Sequence, residues 1–210
     1  MEDLRAKVAE GMRKLYERGL VSSLGGNLSI RSEDRTRIFI TPSGSPKWTL
    51  QAEDIVEVDM EGNVLNGIKR PSSELPSHLL IYSKRPDVCS VVHAHPVHAV
   101  ALANSGLLKP PLNITPEEVL YLNRLSLIDF ALPGKGTAEA LSGVIPISDV
   151  IVIKNHGAFS FGKNVEEAIA RIEILEEASK MIYLQLSIEH EPKRIPKEIA
   201  EEIKKIYKKD

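Results

Sequence analysis

Apolar positions recur along this chain with two periods, one near 3.6 residues and one of two, and together they mark out its elements. Leu4, Val8, Met12 and Leu15 fall on one side of a helix, and Gly19 suits its C-terminal cap, so residues 3–18 are expected to be helical. Residues 28–31 and 37–41 read as two strands joined by the polar turn Ser32-Glu33-Asp34. Thr41-Pro42-Ser43-Gly44 is a tight turn, in which proline presets one dihedral and glycine permits the other. Residues 55–59 and 64–65 flank Glu61-Gly62-Asn63 as a hairpin, which makes most of 28–65 an antiparallel meander.

The rest of the chain mixes the two periods. Pro71-Ser72-Ser73-Glu74 predicts a helix start, with serine as cap and Glu74 at the positive end of the dipole; the helix should stop near Arg85-Pro86. The apolar run 88–95 predicts a buried strand, followed by a helix from Pro96 to about Ala103. Thr115-Pro116-Glu117-Glu118 pairs a cap with proline at the first helical position, predicting a short helix to about Leu122. Residues 128–132 predict a strand, 138–142 a brief helix, 149–153 a buried strand and 158–161 its hairpin partner. Ile169, Ile172, Leu175, Ala178, Ile182 and Leu186 predict one long helix from Val165 to about Ile188. A charged tail, 192–210, holds a last helix with Ile199, Ile203 and Ile206 along one side. The sum is an α/β fold: a three-layer sandwich whose central, mostly antiparallel sheet is flanked by helices, as one domain over 1–210.

Composition removes some functions. Net charge is −2 with both signs mixed along the chain, and no basic patch is interleaved with aromatics, so no nucleic-acid partner is expected. No apolar run spans a bilayer, and the N-terminus carries no leader pattern. The one cysteine, Cys89, lies in an apolar strand as a small core residue. A cytoplasmic protein with no membrane partner is the expectation.

The chemistry gathers at Val91-Val92-His93-Ala94-His95-Pro96. A strand alternates its faces, so His93 and His95 point to the same side and can share one metal ion. His156, where a buried strand meets the turn Asn155-His156-Gly157, would complete a three-ligand catalytic site with one position open. Neutral nitrogen ligands favour Zn2+ or another late divalent metal over magnesium or calcium. Glu74 can serve as a fourth ligand, a general base, or each in turn. His78, four residues on, reads as structural, His98 as facing a helix, and His190 as inert. Three small-residue loops, Gly25-Gly26-Asn27, Ser43-Gly44 and Ser72-Ser73, can offer N–H groups and hydroxyls to a phosphate without any lysine or arginine. Gly134-Lys135-Gly136-Thr137 lacks the spacing of a P-loop.

In this order, Gly-Gly-Asn-Leu-Ser (25–29), Thr-Pro-Ser-Gly (41–44), Pro-Ser-Ser-Glu with a histidine four later (71–78), Val-Val-His-Ala-His-Pro (91–96) and Asn-His-Gly (155–157) resemble the class II aldolase/adducin family, in particular its L-fuculose-phosphate aldolase branch. The resemblance implies a lyase of carbohydrate metabolism, commonly a homotetramer with active sites between subunits. It implies zinc on His93, His95 and His156, with Glu74 as the catalytic acid/base that sits on the metal when substrate is absent. It implies that Gly26, Asn27, Ser43, Gly44, Ser72 and Ser73 hold the substrate phosphate. Cleavage of a ketose 1-phosphate into dihydroxyacetone phosphate and a small aldehyde such as lactaldehyde leaves an enediolate, whose charge a Lewis-acidic zinc stabilises. The branch takes a tyrosine acid from a neighbouring subunit. The matching position here is Thr115, which leaves Tyr121 and Tyr207 as candidates. Alternatives within the fold are a pentulose-phosphate 4-epimerase, a methylthioribulose-1-phosphate dehydratase, and a non-catalytic adducin-like module.

Overall fold

In the computed structural model, which describes residues 3–189 and 191–207, eight strands form one sheet in the order β4-β3-β2-β1-β5-β8-β7-β6. The strands are β1 (Asn27–Arg31), β2 (Arg37–Ile40), β3 (Val56–Asp59), β4 (Val64–Asn66), β5 (Ser90–Ala94), β6 (Leu125–Ile128), β7 (Val150–Ile153) and β8 (Gly157–Gly162). Every neighbouring pair is antiparallel except β6 with β7.

The period of two in the strands sends alternate residues into two separate cores, one on each side of the sheet. Leu28, Ile30, Val92, Ala94, Val150 and Val152 face a layer made by α1 (Leu4–Glu17), α3 (Val97–Asn104) and α6 (Val165–Glu189). Their neighbours in the chain, Val91, Ile151 and Ile153, face the opposite layer, where α2 (Leu75–Lys84) and α5 (Lys135–Leu141) pack with Ile38, Phe159 and Phe161. The helices α4 (Pro116–Tyr121) and α7 (Lys197–Tyr207) pack on each other. These are the three layers that the periodicity predicts.

Local chemistry accounts for several element ends. Asp3 Oδ1 accepts hydrogen bonds from the N–H groups of Arg5 (3.0 Å) and Ala6 (3.2 Å) and so caps α1. Thr115 Oγ1 accepts from Glu118 N at 3.1 Å, as its sequence signature predicts. Two expectations are corrected. Ser72 and Ser73 do not cap α2; Glu74 itself holds the cap position, and Ser72 Oγ accepts from Glu74 N at 3.2 Å. The strand expected at 128–132 lies at Leu125–Ile128, where parallel pairing with β7 fixes it, and Phe130 and Leu132 are exposed. The last helix is α7 as expected, with Ala200 its buried residue and Ile199 and Ile206 exposed. His190 lies outside the described residues.

Candidate active site

Strand direction brings distant segments to one edge of the sheet. β1 starts where β5 ends, because the two are antiparallel and Asn27 pairs with His93. β8 also starts there, with Ala158 opposite Ala94. Asn27, the two histidines that close β5, and His156 just before β8 therefore meet although 129 positions separate the first from the last. Loops from elsewhere close over this edge. Ser72 N donates to Thr41 O (3.1 Å) and Ser43 N to Arg70 O (2.9 Å), which zips the 41–44 turn to the segment before Glu74.

The pocket so formed, about 180 Å³, is lined by Gly26, Asn27, Ser43, Gly44, Ser72, Ser73, Glu74, His93, His95 and His156. The metal, acid/base and phosphate candidates of the sequence are thus together. Tyr121 and Tyr207 are not among them. Both line a different cavity, beside Arg85, Arg124 and Arg171.

His93, His95 and His156 each offer a ligand atom within 4.8 Å of the others. Nδ1 of His93 donates to Ala158 O at 3.1 Å, which leaves Nε2 as the free lone pair. That Nε2 lies 3.3 Å from Nε2 of His95. Two nitrogens bound tetrahedrally to zinc at ordinary Zn–N lengths sit roughly 3.3 Å apart, so the spacing fits the ion. His156 Nδ1 is buried with no hydrogen-bond partner. A cation is the natural partner for such a set, since it can take the lone pairs of the facing His93 and His95 nitrogens and of the partnerless His156 at once.

Burial keeps these rings neutral. It holds the His93 imidazole well below the usual histidine range, helped by the neighbouring His95 and His156. His95 is lowered by burial, then by His156 and Lys47. His156 is lowered by burial against an opposing pull from Glu74. Neutral imidazole is the form that binds metal. The backbone is shaped to the same end: a Cβ on Gly157 would collide with Ala94 O and come within 2.8 Å of His95 Cδ2 and 3.0 Å of His93 Cε1.

Glu74 is buried, and both its oxygens are held by neutral donors. Oε2 accepts from Ser77 Oγ at 3.2 Å, and Oε1 from Gly134 N at 2.9 Å. The segment that lacks P-loop spacing therefore has another use: its first glycine, with φ +83°, orients the carboxylate. His78 also gains a role. It is fully buried, with Nε2 2.5 Å from Asn27 Oδ1 and Nδ1 2.7 Å from Ser29 Oγ, which in turn lies 2.8 Å from the Tyr82 hydroxyl. Burial pushes His78 down to about 3, so it is neutral, and its single N–H donates to Asn27. This pins the amide and turns its NH2 group away from His78. His98, on the helix side, is held to α6, with Nδ1 2.7 Å from Glu176 Oε1. Lys47 also lines the pocket, together with the three small-residue loops.

The profile of the Class II Aldolase and Adducin N-terminal domain matches residues 6–183. The chain belongs to the class II aldolase and adducin family. Among similar proteins, the L-fuculose phosphate aldolase of Methanocaldococcus jannaschii is 36% identical over 176 residues, 84% of this chain and 93% of the relative. A solved L-fuculose 1-phosphate aldolase superposes with a TM-score of 0.87 at 27% identity, covering 100% of this chain and 98% of the other. The L-fuculose-1-phosphate aldolase of Thermus thermophilus gives a TM-score of 0.75 at 28% identity, covering 88% and 95%. This family member is a lyase of the aldolase type, from a metal-dependent family, and its three histidines form a group that fits a metal. Among the described residues no helix is long and apolar enough to cross a membrane.

Proposed function

We propose that this chain is a zinc-dependent aldolase acting on a ketose 1-phosphate of the L-fuculose 1-phosphate type, with dihydroxyacetone phosphate and a small aldehyde such as lactaldehyde as the two fragments. The observation that carries the reading is one pocket holding three neutral imidazoles, a buried carboxylate and three anion-accepting loops. The names of the relatives agree with it. Bound to His93, His95 and His156, zinc supplies Lewis-acid stabilisation for the negative charge left on the ketone fragment.

The chain's own residues do the rest. Asn27, held by His78, and the Gly26, Ser43, Gly44, Ser72 and Ser73 groups bind the phosphate and set the substrate's register. Glu74 takes the proton from the bond-forming carbon in condensation and returns it in cleavage. It can do so because its restraints, Ser77 and Gly134, are neutral hydrogen-bond donors rather than a salt bridge. The acid for the aldehyde oxygen is a tyrosine, Tyr121 or Tyr207, from a neighbouring subunit of a homotetramer, since neither lines this chain's own pocket. Phe130 and Leu132, exposed and within three residues of Pro133 of the pocket wall, supply apolar surface for that contact.

The test is a product assay. The zinc-loaded protein, given dihydroxyacetone phosphate and an aldehyde panel, is expected to form a carbon–carbon bond, and His93→Ala to lose both the metal and the activity. An epimer from ribulose 5-phosphate, a dehydrated product from methylthioribulose 1-phosphate, or metal-free protein with no turnover would each replace this reading with another of the fold's functions.

A further inference from the structure

Lys47 is 1% exposed, and it lines the histidine pocket. Among the described residues no carboxylate, carbonyl or hydroxyl pairs with its ammonium; only its backbone is engaged, with Lys47 N donating to Ser23 O at 2.9 Å. A lysine buried without a counter-ion is disfavoured, and natural chains place lysine inside only when it is paired or has work to do. Here burial alone pushes the amine down to about 8, with no acidic neighbour to offset it.

The position of Lys47 is fixed from two sides. The bond to Ser23 ties it to the loop that leads into Gly25-Gly26-Asn27. The next residue, Trp48, packs on Tyr16 of α1, with ring centroids 5.3 Å apart. Three residues earlier lies Gly44, at the end of the second small-residue loop. The lysine thus stands between two of the loops whose N–H groups and hydroxyls suit an anion. Those loops are neutral, whereas a phosphate monoester carries close to two negative charges at neutral pH. Glu74, in the same pocket, adds to the negative charge that a bound phosphate must face.

We propose that Lys47 is the charge partner of the substrate phosphate, supplying the one cationic contact in a subsite otherwise made of neutral donors. The inference rests on the phosphorylated-substrate reading above and adds a residue to it. It also gives a reason for keeping an ammonium without a carboxylate partner at the wall of the pocket, since the phosphate is its counter-ion and arrives with the substrate. A charge-assisted bond of this kind is worth about a 10- to 100-fold change in affinity.

Calorimetric titration of the zinc-loaded full chain with dihydroxyacetone phosphate, and separately with inorganic phosphate, tests the inference in the wild type, Lys47→Met and Lys47→Arg. The expected result is about 10- to 100-fold weaker binding of both ligands to Lys47→Met, with much of the affinity kept by Lys47→Arg. Metal content should be unchanged, and the Tm of Lys47→Met should rise because a buried unpaired charge has gone. A merely structural lysine would show the reverse, with a lowered Tm and unaltered phosphate binding. Equal binding by wild type and Lys47→Met overturns the inference, as does equal weakening in both variants. If the wild type itself fails to bind dihydroxyacetone phosphate, the phosphorylated-substrate reading has failed instead. Lys47→Gln, polar and uncharged, repeats the measurement should the methionine variant not fold.

Discussion

Two cavities of this protein invite comparison, and the larger is the less chemical. The cavity beside Arg85, Arg124 and Arg171 is about 440 Å³, against about 180 Å³ for the histidine pocket. Its charges, however, are mostly paired, and among the described residues Arg171 Nε is the one buried side-chain atom there without a hydrogen-bond partner. Asp149 sits among three guanidinium groups, at 2.9 Å from Arg85, 3.3 Å from Arg124 and 3.6 Å from Arg171, and Asp87 and Glu167 pair with Arg85 and Arg171 at 2.7 and 2.8 Å. In the histidine pocket the polar groups are ordered but unsated: His156 Nδ1 has no partner, the Nε2 atoms of His93 and His95 face each other, and among the described residues Lys47 has no carboxylate partner. Unused bonding capacity, rather than volume, separates a reactive site from a structural one.

The contrast can be broken from either side. The largest effect is expected from Glu74→Gln, which keeps the size and can still accept from Gly134 N while its NH2 donates to Ser77 Oγ, but cannot carry the proton. Solvent exchange of the dihydroxyacetone phosphate proton should fall about 10²- to 10⁴-fold with metal content intact. Full exchange in the variant would remove Glu74 from the chemistry. At the other cavity, Asp149→Ala should act on stability, because it strands buried arginines; a loss of about 3–5 kcal/mol in denaturant unfolding is expected, with zinc affinity unchanged. A loss of metal binding there would show that the two regions are coupled.

The smallest effect concerns pH. The folded-state pKa of His78 is about 3, below the ordinary histidine value of 6.5, because burial disfavours its charged form. The stability tied to its neutral form is therefore complete above pH 6.5 and declines as the pH falls from there toward 3. His78→Gln, which can still donate to Asn27, should flatten that part of the stability curve. An unchanged slope between about pH 6.5 and 4 would mean that other groups govern the acid limb.

Local patterning made much of this legible. Continuous apolar runs located the central strands β5 and β7, because each is buried on both faces and flanked by two partners, and the caps at Thr115 and Gly19 signalled their own helix ends. The edge strand β6 lies three residues before its expected place because its limits come from pairing with β7, not from its own half-buried side chains. His93, His95, His156 and Glu74 are visible as residue types in suggestive places. Lys47 is not, because a lysine in a loop normally points to water, and only the 22–26 and 41–50 loops closing together bury it. The hydrogen bond from His78 to Asn27 spans 51 positions, and no local pattern encodes it. The tyrosines are legible as candidates but not in their placement, since the fold sets both at the second cavity.

The antiparallel pairing of β1, β5 and β8 has a consequence for how the protein is made. Asn27, His93 and His156 enter the growing chain far apart in time, and β5 has no neighbour on its far side until β8 has been synthesised. A nascent chain halted before residue 156 holds two of the three imidazoles, with nothing to fix their spacing. A metal held by these three histidines would therefore not seed folding as it does in small metal-nucleated modules. It would be captured late, by a sheet already assembled, and metal starvation should yield a folded apoprotein rather than an unfolded chain.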